Sequence, residues 1–209
     1  MLKHKINIAI LIVWLFHITA LIGISLGDVD WFIEKTPFNL SLCLLLFMLS
    51  YPIHKKRQII AFMIFFAGGM YAEWLGVHYG ILFGNYAYGS NFGFQIDGIP
   101  LLIGSYWGLL TFITAGILDY AKIQVVPKVI LGAALMVILD FFMEYSAPIF
   151  DFWSFDENVI PIQNYISWYV LSMVFHSILR ILKLKGNQKF SLNIYMAQLL
   201  FFMFFYFQQ

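Results

Sequence analysis

Apolar residues fall in seven long runs, separated by short polar stretches. The runs cover residues 6–26, 37–53, 59–76, 99–118, 129–145, 162–181 and 190–207. A membrane-crossing helix needs about 20 mostly apolar residues. Each run is therefore read as a transmembrane helix, and residues 1–209 as one all-α domain of about seven spans. The first run follows Lys3 and Lys5 and so imitates a signal peptide. No Ala-x-Ala-like site follows it, and Trp14, Phe16 and His17 interrupt it. It is read as the first span.

The polar stretches orient the bundle. Lys3 and Lys5 precede run 1, and Lys55, Lys56 and Arg57 separate runs 2 and 3. Lys122 and Lys128 separate runs 4 and 5, while Arg180, Lys183, Lys185 and Lys189 separate runs 6 and 7. The remaining connections carry Asp28, Asp30, Glu34, Asp97, Asp151, Asp156 and Glu157, with Lys35 as their one base. Basic residues favour the cytoplasmic side. The alternation predicts a cytoplasmic N-terminus, an outer C-terminus and an odd number of spans. The longest connection, residues 77–98, is expected outside, re-entering the membrane only if protein or water covers its backbone.

Composition agrees with this reading. The chain is 62% hydrophobic and 11% charged, with mean hydropathy +0.83. Soluble domains carry roughly 25% charged residues, and a soluble fold of 209 residues has too little interior to hide so much apolar surface. The lipid bilayer is thus a partner of the fold. A net charge of +1 gives no electrostatic reason for a nucleic-acid partner. Cys43 is the single cysteine, which excludes an intramolecular disulfide and a Cys-rich metal site.

Candidate chemistry lies in the acids. Carboxylates within a bilayer are costly and need an explanation. Glu73, Asp140 and Glu144 lie inside apolar runs, all toward the outer side in the topology above. Asp119 ends run 4 beside Lys122 and is expected to be a solvated helix end. Asp140 and Glu144 are spaced i, i+4 and share one helix face. Two close carboxyls in low dielectric do not both ionise cheaply, so the pair is expected to titrate as a unit with one proton retained. A protonated carboxyl donates a proton without a cofactor. The competing reading is an interhelical hydrogen-bond network that only holds the bundle together.

Aromatic residues crowd the same level, among them Trp74, Tyr86, Tyr88, Trp107, Trp153 and Trp168. Part of this set is an interfacial belt. The rest are candidates for a pocket whose ring faces stabilise a cation and hold a long apolar ligand. Asn85 and Asn164 are candidates to position water or a carboxylate, or else to cap helices. The glycines Gly76, Gly80 and Gly84 fit either a packing stripe or tight turns. The histidines His4, His17, His54, His78 and His176 have no di-iron spacing. No G-x-G-x-x-G occurs, so no Rossmann cofactor site is supported. No cofactor and no metal are expected.

The stretch from Glu73 to Tyr88, EWLGVHYGILFGNYAY, resembles the signature of the carotenoid biosynthesis family of bacterial and archaeal membrane proteins. Pro100 and Trp107 fit the next block, Asp140, Glu144 and Trp153 the acidic block, and Pro161, Asn164 and Trp168 the last. Tyr145 and Val159 stand where the pattern is expected to have Pro and Gly. The resemblance runs from about residue 68 to residue 168. It implies a carotenoid 1,2-hydratase of the cytoplasmic membrane. Its substrates would be water and an acyclic or monocyclic carotenoid of C40 or longer, and association with other carotenoid enzymes would be natural. By the same resemblance, Glu73, Asp140 and Glu144 would be catalytic. Trp74, Asn85, Tyr86, Tyr88, Trp107, Trp153, Asn164 and Trp168 would bind substrate. Two alternatives stay open: an end-group cyclase or isomerase using the same acids, and a non-catalytic carotenoid-binding or transport protein.

Overall fold

The computed structural model describes residues 2–208 apart from Pro52 and His54. Eight helices make up the body: α1 (Leu2–Ser25), α2 (Val29–Glu34), α3 (Thr36–Ser50), α4 (Lys56–Tyr79), α5 (Leu101–Leu118), α6 (Val125–Ser146), α7 (Ile162–Ile181) and α8 (Gln188–Phe207). The seven apolar runs correspond to seven of them, and α2 is a short extra turn inside the first outer connection. Run 5 begins four residues early because Pro127 falls in the first turn of α6, where a missing N–H costs nothing.

Five helices, α1, α4, α5, α6 and α8, are long and apolar enough to cross a membrane. They mark the chain as an integral membrane protein. The other two long helices fall short for different reasons. Helix α3 has 15 residues, about 22 Å of rise against a hydrocarbon core of about 30 Å. Helix α7 has the length, but it turns Asn164, Ser172 and His176 into the protein, all buried.

Helix α5 is the centre of the bundle and is buried on every side from Tyr106 to Gly116. It packs on α4, α6 and α8, and α6 in turn packs on α7. Such burial demands that its hydroxyls find partners inside the helix. Thr111 and Thr114 donate to the carbonyls of Trp107 and Leu110, each at 2.7 Å. His176 Nδ1–H donates to the Ser172 carbonyl at 2.7 Å, and its Nε2 lies 3.0 Å from the Thr114 hydroxyl. It is an interior group of the bundle. Cys43 is buried as well.

Asp119 departs from expectation. It is not a solvated helix end but one of the most enclosed acids in the chain, its side chain 1% exposed. The Arg180 guanidinium from α7 pairs with it, and the Gly186 N–H donates to its other oxygen at 2.6 Å. Lys122, its sequence neighbour, is exposed and takes no part. The ion pair links the ends of α5 and α7 on the side where the basic connections lie.

At the opposite end, the long connection folds into turns and short strands. Helix α4 continues to Tyr79 and stops at Gly80, whose φ of +64° supplies the left-handed C-terminal turn. The chain then forms β1 (Tyr86–Tyr88), β2 (Gln95–Ile96) and β3 (Ile99–Pro100), and β4 (Trp153–Phe155) follows α6. Strands β1 and β4 pair antiparallel, with Tyr86 opposite Phe155 and Tyr88 opposite Trp153, while β2 pairs with β3. The pairing satisfies backbone groups that water or lipid would otherwise meet. The result is a two-stranded lid lying over the ends of α4 and α6.

Candidate active site

The lid brings its alternate side chains inward. On β1 and β4, Tyr86, Tyr88, Trp153 and Phe155 face the bundle, whereas Ala87 and Ser154 are exposed. This is the period of two that a strand imposes. Below the lid lie the three acids, Glu73 on α4 and Asp140 and Glu144 on α6, between 1% and 4% exposed.

Each acid has a defined set of donors. Glu73 Oε1 accepts from the Trp107 indole at 2.8 Å. Its Oε2 accepts from the Tyr88 hydroxyl at 2.8 Å and also from the Tyr86 hydroxyl. Glu144 accepts from the Trp153 indole on one oxygen and from the Asn164 amide on the other, both at 2.8 Å. The same Asn164 amide nitrogen reaches Asp140 Oδ2 at 3.2 Å. Asp140 Oδ1 has no hydrogen-bond partner among the described residues. Among the five oxygen positions filled by donors or shared between them, none belongs to this atom.

Burial first, and then the charge on Glu73, push the Tyr86 and Tyr88 phenols well above their ordinary range. Both therefore remain neutral and act as donors to the carboxylate. Close approach is possible because residue 76 is glycine. A Cβ there would come within 2.7 Å of the Tyr86 ring. A Cβ at Gly69, two turns earlier on α4, would come within 2.5 Å of the Trp107 indole. The two glycines thus let two of the three donors of Glu73, Tyr86 and Trp107, pack directly against the helix that carries it.

A small cavity lies among these groups. It is lined by Glu73, Asp140, Glu144 and Asn164, with Phe83, Tyr86, Tyr88, Ile103, Trp153, Phe155 and Trp168 as aromatic and apolar walls. Its volume is about 20 Å³. A buried water needs about 10–15 Å³ and two to four polar partners, so the cavity matches one water molecule. Trp168 stacks on Trp107 with ring centroids 3.9 Å apart and planes 16° from parallel. Phe83 closes the group, 6.3 Å from each.

Of the residues singled out in the sequence, Glu73, Asp140, Glu144, Tyr86, Tyr88, Trp107, Trp153, Asn164 and Trp168 come together here. Two do not. Trp74 points outward, its indole donating to Asp97 at 2.8 Å and stacking on the exposed Tyr71. On α4 it follows Glu73 by one residue, and a 100° step on a helix sends it to another face. Asn85 is exposed and lies beside Gly80, outside the cavity. Phe83, Ile103 and Phe155 had not been singled out. Only Phe155 had a readable signal, its alternation with Trp153.

The fold and the site define a class: helical membrane proteins with a buried carboxyl cluster under an aromatic lid. Within that class, the profile of the carotenoid biosynthesis protein family matches residues 38–208. The chain belongs to that family. No curated protein and no solved structure matches it.

Proposed function

We propose that the protein is a carotenoid 1,2-hydratase, adding water across the terminal double bond of an acyclic ψ end group. The observation that carries this reading is a water-sized cavity walled by three carboxyl groups, one of which has an oxygen free of partners. Every oxygen of Glu73 and Glu144 accepts from an N–H or O–H, which suits the ionised form. Asp140 Oδ1 alone is free to carry a proton toward a substrate.

In this mechanism Asp140 gives its proton to C2 of the alkene, leaving a tertiary cation at C1. The ring faces of Trp168 and Phe83, which line the cavity, stabilise that cation, with Trp107 stacked behind Trp168. Water held in the cavity attacks C1, and Glu73 takes the released proton. The proton returns to Asp140 across the cavity, with Asn164 holding Asp140 in place and tying it to Glu144. The net change is one water added and a tertiary alcohol formed. The role of the aromatic walls is to keep all other water away from the cation.

Expression in a host that accumulates an acyclic carotenoid tests the reading through the mass of the pigments. The expected result is a gain of one water. An unchanged mass with a shifted spectrum would instead assign an end-group cyclase or isomerase, and an unaltered pigment in a host with a suitable substrate would reject catalysis.

The mechanism is paired with a topology of seven spans, with the N-terminus in the cytoplasm and the acid cluster toward the outer side. The alternation of basic and acidic connections supports it. Asn85 is exposed on the lid side and Lys122 on the opposite side, and the one native cysteine is buried. In intact cells, a membrane-impermeant maleimide is expected to label Asn85→Cys and to spare Lys122→Cys. The reverse pattern would invert the topology.

A further inference from the structure

The water-sized cavity has no room for an alkene, yet it shares two walls with a much larger space. A chamber of about 480 Å³ lies between α1, α2, α3, α5, α6 and α8. Ile103 on α5 and Trp168 on α7 line both cavities. On α6, Leu139 and Met143 face the chamber, and each immediately precedes one of the acids Asp140 and Glu144. The two spaces therefore sit on adjacent faces of one helix, separated by one isoleucine and one tryptophan.

We propose that this chamber holds the polyene chain of the substrate, that the chain enters sideways from the bilayer between α1 and α3, and that Ile103 and Trp168 form the partition through which only the end group reaches the acids. The assignment rests on the hydratase reading for the identity of the ligand. Three observations carry it. First, the size falls within the roughly 300–1,000 Å³ of small-molecule sites, enough for one end of a long chain whose remainder stays in lipid. Second, the wall is mostly apolar; among its polar members, which include Lys35, Asn39 and Gln198, His17 donates its Nδ1–H to the Val13 carbonyl at 2.8 Å. Third, the lining side chains exposed on the outside of the bundle are Leu15 and Thr19 of α1 and Phe38 of α3, with Trp31 and Lys35 at the α2–α3 end. Leu15 and Phe38 give the opening between α1 and α3 an apolar side, which suits entry of a polyene dissolved in lipid.

The shared partition gives the chamber a ruler-like role. The chain's own length, held in an apolar sleeve, sets which double bond meets Asp140. Interior bonds of the polyene cannot pass the partition without the whole chain bending. A terminal bond can.

The test separates binding from catalysis. An achiral polyene acquires circular dichroism in its visible band when it is held in a chiral site, so purified protein in detergent is titrated with lycopene and the induced signal is followed. Wild type is expected to give a saturable signal. Ala20→Trp and Thr36→Trp, which add bulk to the chamber wall on α1 and on α3, should each weaken binding at least tenfold. Asp140→Asn should bind as wild type does. Ile130→Trp, on the exposed face of α6 away from the chamber, is the control for added bulk. Thermal melting of each variant confirms that it is folded, and two filling variants guard against one that is not. No induced signal in wild type, or a signal indifferent to both filling variants, would overturn the chamber assignment. A signal that obeys these expectations in a protein that adds no water to lycopene would leave the chamber in place and overturn the hydratase reading instead.

Discussion

Asp140→Asn is expected to leave a folded protein that hydrates its carotenoid about 10²–10⁴-fold more slowly, the range that a positioned general acid contributes. The fold should survive because the amide is the same shape as the carboxyl. Its oxygen can accept from Asn164 as Asp140 Oδ2 does, at 3.2 Å, and its NH₂ takes the position of the oxygen that has no partner. What is lost is an acidic proton. Glu144→Gln should also be slow, for a different reason. Both Glu144 oxygens accept hydrogen bonds, so a new NH₂ must face either the Trp153 N–H or the Asn164 NH₂. That variant should lose thermal stability as well as turnover, whereas Asp140→Asn should lose turnover alone. Turnover measured in membranes, with melting temperatures in detergent, distinguishes the two. Near-wild-type hydration by Asp140→Asn would remove Asp140 as the proton donor.

The second large effect concerns stability. Arg180→Ala should destabilise the protein by about 3–5 kcal/mol, the cost of leaving a buried charge without its partner. Asp119 would keep only the Gly186 N–H at 2.6 Å. Its backbone carbonyl would still accept from Lys128 at 3.1 Å, but that contact does not neutralise the carboxylate. Arg180 also donates to the Ala115 carbonyl at 3.1 Å, so α5 would lose two ties to α7. Replacing both partners by apolar side chains, Asp119→Leu with Arg180→Met, should recover most of the loss, since a buried ion pair often contributes little beyond an apolar pair of the same size. Unfolding midpoints in denaturant would show it. If the single and double variants unfold alike, the pair is not the clamp described.

The parts of this molecule that follow from local pattern were legible in the sequence. Seven apolar runs became seven helices because runs of this length have no other way to satisfy their backbone in lipid. The three acids stood out because a carboxyl in an apolar run is costly wherever it points. Asp140 and Glu144 could be put on one face from spacing alone. What escaped depended on contacts between distant segments. Arg180 meets Asp119 across 61 positions, and a helix-end aspartate beside Lys122 gives no hint of it. Trp74 shared its level with Glu73 but not its face, and level was all that topology supplied. The strands of the lid are three residues long, so the alternation of Trp153 and Phe155 shows in the sequence but the partner strand does not. The chamber was invisible for a deeper reason. A cavity is the space that side chains from five or more helices fail to fill, and no single helix records it.

The register of the lid has one more consequence. Tyr86 and Tyr88 hold Glu73 from one strand, while Trp153 holds Glu144 from the other. The fixed pairing of Tyr88 with Trp153 thus works as a caliper across the two acids. A single inserted or deleted residue in either strand would turn that strand's inward side chains outward. Surface connections ordinarily absorb such length changes freely. This one should not, because a slip of one position would strip the donors from a carboxylate at the same moment that it opened the roof above it.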